Sequence, residues 1–287
     1  MILITGANGN LGTATIQYLL KEKPDADVAG LVRSEKKGAE LKARGVDLKI
    51  GDYKNYNSMQ KVMQDVDILL LISSSSLENR DREHGNVIRA AEQADVKHIF
   101  YTSIVQADKL LGPLSSDHFE TEKMLTSTGI PYTIYRNTFY AEYLPVFMGN
   151  AIDTGEWYFP SDGKKINLAL REEMAEALAK GLSKPGEHEN QIYEITSANS
   201  YTLKEIAGML QRIGNMEITY HDLSIGAFSS RLSEAGLPED AVMMSTAVAT
   251  TFVNGGLDFI YPDLENLLGR KPADLETVIK GYASEIT

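Results

Sequence analysis

The sequence predicts an α/β protein: a doubly wound parallel sheet followed by a smaller α/β C-terminal lobe. Three observations carry that prediction. Short Val/Ile/Leu-rich runs alternate with helical patterns through the first half of the chain. Those runs are apolar on both faces, as strands buried in a parallel sheet must be. A turn with glycines at positions 6, 9 and 12 lies between the first run and the first helix. Strand–helix alternation of this kind requires right-handed crossovers, which place helices on both faces of the sheet.

Taken in order, strands are predicted at 2–5, 28–32, 46–50, 66–72, 98–103 and 132–136. Helices fall between them. The helix over 11–23 ends before Pro24, and that over 35–44 ends at Gly45, a good residue beyond a helix C-terminus. A helix over 82–94 precedes the fifth strand. A helix over 117–128 opens with Asp117 and Glu120 at capping-box spacing and closes at Gly129. After about residue 137 the rhythm breaks. Residues 149–165 read as loop, with Trp157 and Phe159 alternating as in a short strand. A helix over 171–183 can return to the sheet. Strands at 192–196 and 217–220 and helices at 202–213, 224–235 and 240–252 are assigned to the second lobe. The expected division is 1–136 for the first domain and 137–287 mainly for the second. Ligands of such folds bind at the carboxyl ends of the strands.

Composition removes several function classes. The chain has 287 residues, and 28 Lys and Arg against 40 Asp and Glu leave a net charge of −12. That balance argues against gripping nucleic-acid phosphates, which needs clustered cations. Cys is 0, so disulfides, thiolate nucleophiles and Cys-ligated metals are excluded. The five histidines show no metal-ligand spacing, and no metal is expected. There is no G-x-S-x-G for a hydrolase. The longest purely apolar run, 68–72, is far short of the ~20 residues of a membrane span. The opening residues carry no basic run and no small-residue cleavage site, so the cytoplasm is the expected compartment.

The segment Thr5-Gly6-Ala7-Asn8-Gly9-Asn10-Leu11-Gly12 carries the chemistry. Gly6 permits the tight turn, Gly9 lets a pyrophosphate approach the backbone, and Gly12 lets the helix pack close to the strand. The helix N-terminus then offers free N–H groups and a partial positive charge to the anion. This makes the sheet Rossmann-type. Spaced as G-x-x-G-x-x-G with Thr5 ahead, the segment resembles the short-chain dehydrogenase/reductase superfamily, and within it the atypical NmrA-like branch. Leu31-Val32-Arg33, Gly51-Asp52-Tyr53, Leu70-Leu71-Ile72-Ser73-Ser74, Tyr101-Thr102-Ser103, the run from Glu120 to Leu125, Arg136-Asn137 and Tyr193-Glu194-Ile195 also fit that branch. Its bacterial NADPH-dependent quinone reductases and triphenylmethane-dye reductases are the members the chain resembles most.

Arg33 stands where an NAD site usually carries an acid for the ribose 2′-hydroxyl. A guanidinium can fork onto a 2′-phosphate, so NADPH is expected over NADH. The resemblance implies that Asp52 and Tyr53 border the adenine; Asp52 as a turn cap stands beside that reading. It also implies that Ser73, Ser74 and Ser75 pass over the nicotinamide ribose and phosphates. Most enzymes of the superfamily place a Tyr four residues before a Lys. Here Lys123 is present, but Phe119 holds the Tyr position and cannot donate a proton. That disfavours alcohol dehydrogenation and sugar epimerisation. The dye- and quinone-reductase relatives also lack the Tyr. Lys123 reads as a ribose contact or a solvated helical Lys. Asn137 reads as the hydrogen-bond partner of a developing oxyanion or as a strand-end amide satisfying backbone. Phe139, Tyr140 and Tyr143 read as the wall of an aromatic substrate site or as core. The resemblance implies hydride transfer from NADPH to a quinone or similar conjugated acceptor. A non-catalytic NAD(P)-sensing regulator, with a protein partner, is the alternative.

Overall fold

A computed structural model describes residues 1–74, 76, 79–214 and 217–286. Through the first half the chain runs β1 (Ile2–Ile4), α1 (Asn10–Glu22), β2 (Val28–Val32), α2 (Ala39–Ala43), β3 (Asp47–Ile50), α3 (Tyr56–Val62), β4 (Ile68–Leu71), α4 (Arg80–Gln93), β5 (His98–Ile104), α5 (Pro113–Ser127) and β6 (Tyr132–Asn137). It continues through β7 (Phe139–Tyr140), α6 (Leu144–Met148), α7 (Ala151–Thr154), β8 (Glu156–Tyr158), β9 (Lys165–Ala169), α8 (Arg171–Ser183), β10 (Gln191–Ile195) and β11 (Ser200–Thr202). Last come α9 (Leu203–Gly214), β12 (Thr219–His221), α10 (Ile225–Glu234), α11 (Glu239–Val253), α12 (Asp263–Leu268) and α13 (Leu275–Ile286).

The strand order of the main sheet is β10-β6-β5-β4-β1-β2-β3. From β1 the chain steps outward to β2 and β3, then crosses back to β4 on the other side of β1. That reversal is the topological switch point of a doubly wound sheet, and here it lies between β1 and β4. The two strands pair in parallel with Ile4 beside Leu70. The expected α/β fold class is the observed one.

The chain forms two compact units. The first comprises Met1–Ile104, Asp117–Asn137 and Arg171–Glu194; the second comprises Val105–Ser116, Thr138–Leu170 and Ile195–Thr287. The units interleave in sequence, unlike the nearly continuous halves expected. The strand expected at 192–196 in the second lobe is β10, an edge of the main sheet. A short apolar alternation does not say which sheet it joins. β10 is hydrogen-bonded to β6, and a distant charge joins the same two strands: Arg136 on β6 donates to Glu194 at 2.9 Å.

In the first unit, Leu3, Leu69, Leu71, Ile99 and Ile134 pack with Val87, Ile88 and Ala91 of α4 and Leu125 of α5. Each large aliphatic side chain buried this fully contributes about 1.5–3 kcal/mol. Two local expectations differ. The helix expected over 35–44 is a 3-10 turn, Glu35–Gly38, followed by the short α2. Gly38 lies so close to β3 that a Cβ there would meet Leu48 at 2.6 Å. The stretch before α4 holds α3, which composition did not announce; its cap is Asn55, which accepts the Ser58 N–H at 3.0 Å.

In the second unit, β9 pairs antiparallel with β11 and parallel with β7. The loop expected over 149–165 contains α7 and β8, and β8 pairs with β12. Trp157 is fully buried, and its indole N–H donates to the Phe147 carbonyl at 2.8 Å. Asp222 pins the turn after β8 by accepting the N–H groups of Ser161 and Gly163 at 2.8 and 2.9 Å.

Candidate functional site

The carboxyl end of β1 turns on Gly6, whose φ is +58°, in the left-handed region that favours glycine. The Gly9 N–H closes the turn on the Gly6 carbonyl at 2.9 Å. Gly9 caps α1 without a side chain, and the first turn of α1 carries no acid. The leading amides of the helix therefore face outward with no carboxylate competing for them. Gly12 sets the closeness of the helix: a Cβ there would meet the Gly6 carbonyl oxygen at 2.4 Å and Ala7 Cα at 2.9 Å. Asn8 and Asn10 are exposed, Ala7 and Leu11 buried. This cradle fits a pyrophosphate.

Arg33 follows β2 directly and is exposed. Among the described residues it enters no ion pair, so its guanidinium is available to an anion. Asp52 does cap a turn: its Oδ1 accepts the Lys54 N–H at 3.0 Å. Tyr53 is partly buried, and its hydroxyl donates to the Ile72 carbonyl at 3.0 Å. Burial raises the Tyr53 pKa, so it remains a donor.

Ile72, Ser73 and Ser74 form a pinned rim at the carboxyl end of β4. The Ile72 N–H donates to Thr5 Oγ1 at 2.9 Å, and the Ser73 N–H to Thr102 Oγ1 at 2.9 Å. The Ser74 N–H donates to His84 Nε2 at 2.9 Å, and its hydroxyl donates to Glu83. The expected Ser75 contact lies outside the described residues.

Lys123 is exposed on α5, ion-paired with Glu120, and its Nζ lies 5.0 Å from the Phe119 ring centroid. Asn137 ends β6, buried, with its Oδ1 lacking a hydrogen-bond partner among the described residues. It therefore retains polar capacity that the surrounding backbone does not take up. Its neighbour Arg136 sits in a buried ion-pair network. It donates to Glu122 through Nε at 3.0 Å and Nη2 at 2.7 Å, and Ser103 donates to the same carboxylate. Sequence reasoning placed Glu122 and Glu194 in matched motifs but not in a network with Arg136, from which they lie 14 and 58 positions away.

The second unit's aromatic residues divide. Phe139 makes edge contacts with Phe147 and Phe252, both at 6.0 Å, and is part of a phenylalanine core. Tyr140 and Tyr143 lie 5.7 Å apart, and Tyr143 is 41% exposed, the ring of the three that opens to solvent. Among the described residues no group of three His, Asp or Glu side chains is placed to hold a metal ion, and no helix is long and apolar enough to cross a membrane.

Sheet order and glycine cradle together define a Rossmann-type α/β protein. The chain belongs to the NmrA-like family, whose family model matches residues 1–282. It is 36% identical to quinone oxidoreductase 2 of Escherichia coli (strain K12) over 275 residues, 96% of each chain. Among solved structures it matches the Escherichia coli NADPH-dependent quinone oxidoreductase complexed with NADPH, with a TM-score of 0.94 and 35% identity over 98% of this chain and 99% of that one. It also matches the Citrobacter sp. triphenylmethane reductase complexed with NADP(H), with a TM-score of 0.91 and 32% identity over 98% and 99% of the two chains.

Proposed function

We propose that this protein is an NADPH-dependent oxidoreductase that reduces quinones or similar conjugated acceptors, acting in the cytoplasm. The observation that carries the reading is the exposed Arg33 at the carboxyl end of β2, the strand that pairs with β1 and its glycine cradle. The likeness to the quinone and triphenylmethane reductases supports it. The nucleotide is assigned to the first unit. The loop from Gly6 to Gly12, including Ala7, Asn8, Asn10 and Leu11, holds the pyrophosphate with backbone N–H groups. Arg33 holds the 2′-phosphate, and Asp52 and Tyr53 border the adenine. The segment from Ser73 to Ser75 and Lys123 are assigned to the nicotinamide ribose side.

Bound NADPH supplies a hydride. The protein's part is orientation and exclusion of competing reactions. No residue at the Phe119 position donates a proton, and a quinone does not need one in the hydride step, because reduction restores aromaticity. Asn137, with hydrogen-bonding capacity left over, is assigned the contact to the acceptor oxygen as charge develops there. Phe139, Tyr140 and Tyr143 are assigned to the acceptor's rings, Tyr143 most directly because it is the open one.

The test is oxidation of NADPH, against NADH, with and without benzoquinone or naphthoquinone, corrected for the uncatalysed reaction. Quinone-dependent turnover with a strong NADPH preference supports the reading. Tight NADPH binding with no turnover on any acceptor overturns the enzyme assignment and favours a nucleotide-sensing regulator with a protein partner. No binding of either nucleotide overturns the cradle assignment itself.

A further inference from the structure

We propose that Arg80, Glu83 and His84, at the start of α4, are positioning residues that set the rim after β4 for the nicotinamide half of the dinucleotide. This rests on the nucleotide reading above and goes beyond it, because none of the three touches the cradle.

The argument begins with one residue. All the hydrogen-bonding groups of Ser74 are held from α4. Its N–H goes to His84 Nε2 at 2.9 Å, its carbonyl accepts from Arg80 Nε at 3.0 Å, and its hydroxyl goes to Glu83. The three side chains belong to residues at most 5% exposed. Charged groups are rarely buried so fully unless paired. Here Arg80 has one distant ionic partner, Asp117 of α5 at 3.8 Å, and all three side chains hydrogen-bond to Ser74.

The tautomer of His84 follows from the bonds. Thr121 Oγ1 donates its own hydrogen to the Asp117 carbonyl at 3.0 Å. It therefore accepts from His84 Nδ1–H at 2.9 Å, which leaves the Nε2 lone pair for the Ser74 amide. Burial keeps the ring neutral, so this arrangement does not change near neutral pH. The other side of the rim is fixed by Thr5, Tyr53 and Thr102, so four segments hold three consecutive residues in one path. Ile72 also closes over the cradle: a Cβ on Gly6 would meet Ile72 Cβ at 3.3 Å.

The topology says which half of the ligand meets this rim. β2 and β3 lie on one side of β1, and β4 on the other. Arg33 marks the β2 side as the adenosine side. A pyrophosphate over the loop after β1 then leaves the second half of the molecule over the end of β4. A rim held from α4 thus bears on the nicotinamide half more than on the adenosine half. Among the described residues, one carboxylate oxygen of Glu83 and Nη1 of Arg80 are buried without a hydrogen-bond partner, Nη1 lying 3.8 Å from the Asp117 carboxylate.

The experiment compares two probes on the full-length protein by titration calorimetry: NADPH, and 2′,5′-ADP, which carries only the adenosine half. Glu83→Ala and His84→Ala are expected to weaken NADPH about tenfold and leave 2′,5′-ADP within about twofold. Glu83→Gln keeps an acceptor for the Ser74 hydroxyl and is expected to bind both probes nearly as the parent does. Thr121→Val strips His84 of its acceptor without entering the rim; it decides by the same ratio if an alanine variant does not fold. Equal weakening of both probes, or unchanged NADPH affinity in Glu83→Ala, overturns the proposal. A parent protein that binds neither probe fails the nucleotide reading instead, and is told apart on that ground.

Discussion

Gly12→Ala puts the cradle under direct stress, and its size can be worked from geometry. The added Cβ would lie 2.4 Å from the Gly6 carbonyl oxygen and 2.9 Å from Ala7 Cα. Both are backbone atoms, and neither can rotate away. Restoring ordinary contact, at 3.4 Å or more, moves α1 from the loop by about 1 Å. Overpacking of this kind costs roughly 1–3 kcal/mol. The shift also opens the cradle, because the Gly9 N–H bond to Gly6 and the first amides of α1 hang on the same contact. Gly208→Ala is the matched control. It lies exposed inside α9, with a φ outside the left-handed region and nothing within 4 Å of a Cβ. There the same substitution removes backbone freedom from the unfolded chain and should stabilise by about 0.5–1 kcal/mol. The assay is urea unfolding with NADPH titration of both variants. The expected result is opposite signs in stability and a loss of about tenfold or more in NADPH affinity for Gly12→Ala alone. Parent-like stability and affinity in Gly12→Ala would falsify the close-approach argument.

Four further outcomes are expected. Arg33→Ala should weaken NADPH by about 10- to 100-fold, the contribution of charge-assisted hydrogen bonds, and NADH hardly at all; equal losses for the two nucleotides would sink the 2′-phosphate assignment. The NADPH advantage of the parent should shrink with added salt, since Arg33 is exposed. Glu122→Ala takes from the buried Arg136 guanidinium the carboxylate that pairs with it at 2.7 Å, and should cost about 3–5 kcal/mol in unfolding experiments; a loss under about 1 kcal/mol would show that the network is not holding β6 to α5. Stability should also fall as the solution is acidified below about pH 6.5. His84 and His98 have their pKa values pushed down to about 3 and about 4, mainly by burial, so the folded state keeps them neutral. The unfolded chain binds those protons below about pH 6.5, and each such histidine contributes a slope of about 1.4 kcal/mol per pH unit until its folded value is reached. Equal unfolding free energies at about pH 7 and 5.5 would refute this.

The first strand, the glycine loop and α1 were legible in sequence because each is specified within a few residues. A buried strand needs an apolar run, a close-packed turn needs glycines at fixed spacing, and Arg33 needs only to follow β2. The alternation that announces a parallel sheet is likewise local, so the fold class was readable. The partners that shape the rim are not local. Ser74 is held by residues 6 to 10 positions away that read in sequence as an ordinary charged helix start, and His84 by Thr121, 37 positions away. β10 joins β6 as a sheet neighbour, and Arg136 reaches Glu194 there across 58 residues. Phe139 meets Phe147 and Phe252 edge-on, and aromatic spacing along a chain does not record which face meets which neighbour. The sequence by itself determined the sheet, the turn and the anion-facing helix, since backbone sterics and burial act over a few residues. Only the tertiary structure decided what the serines after β4 hold on to, since a buried polar group takes whichever partner the fold brings within 3 Å, however far away it lies in the chain.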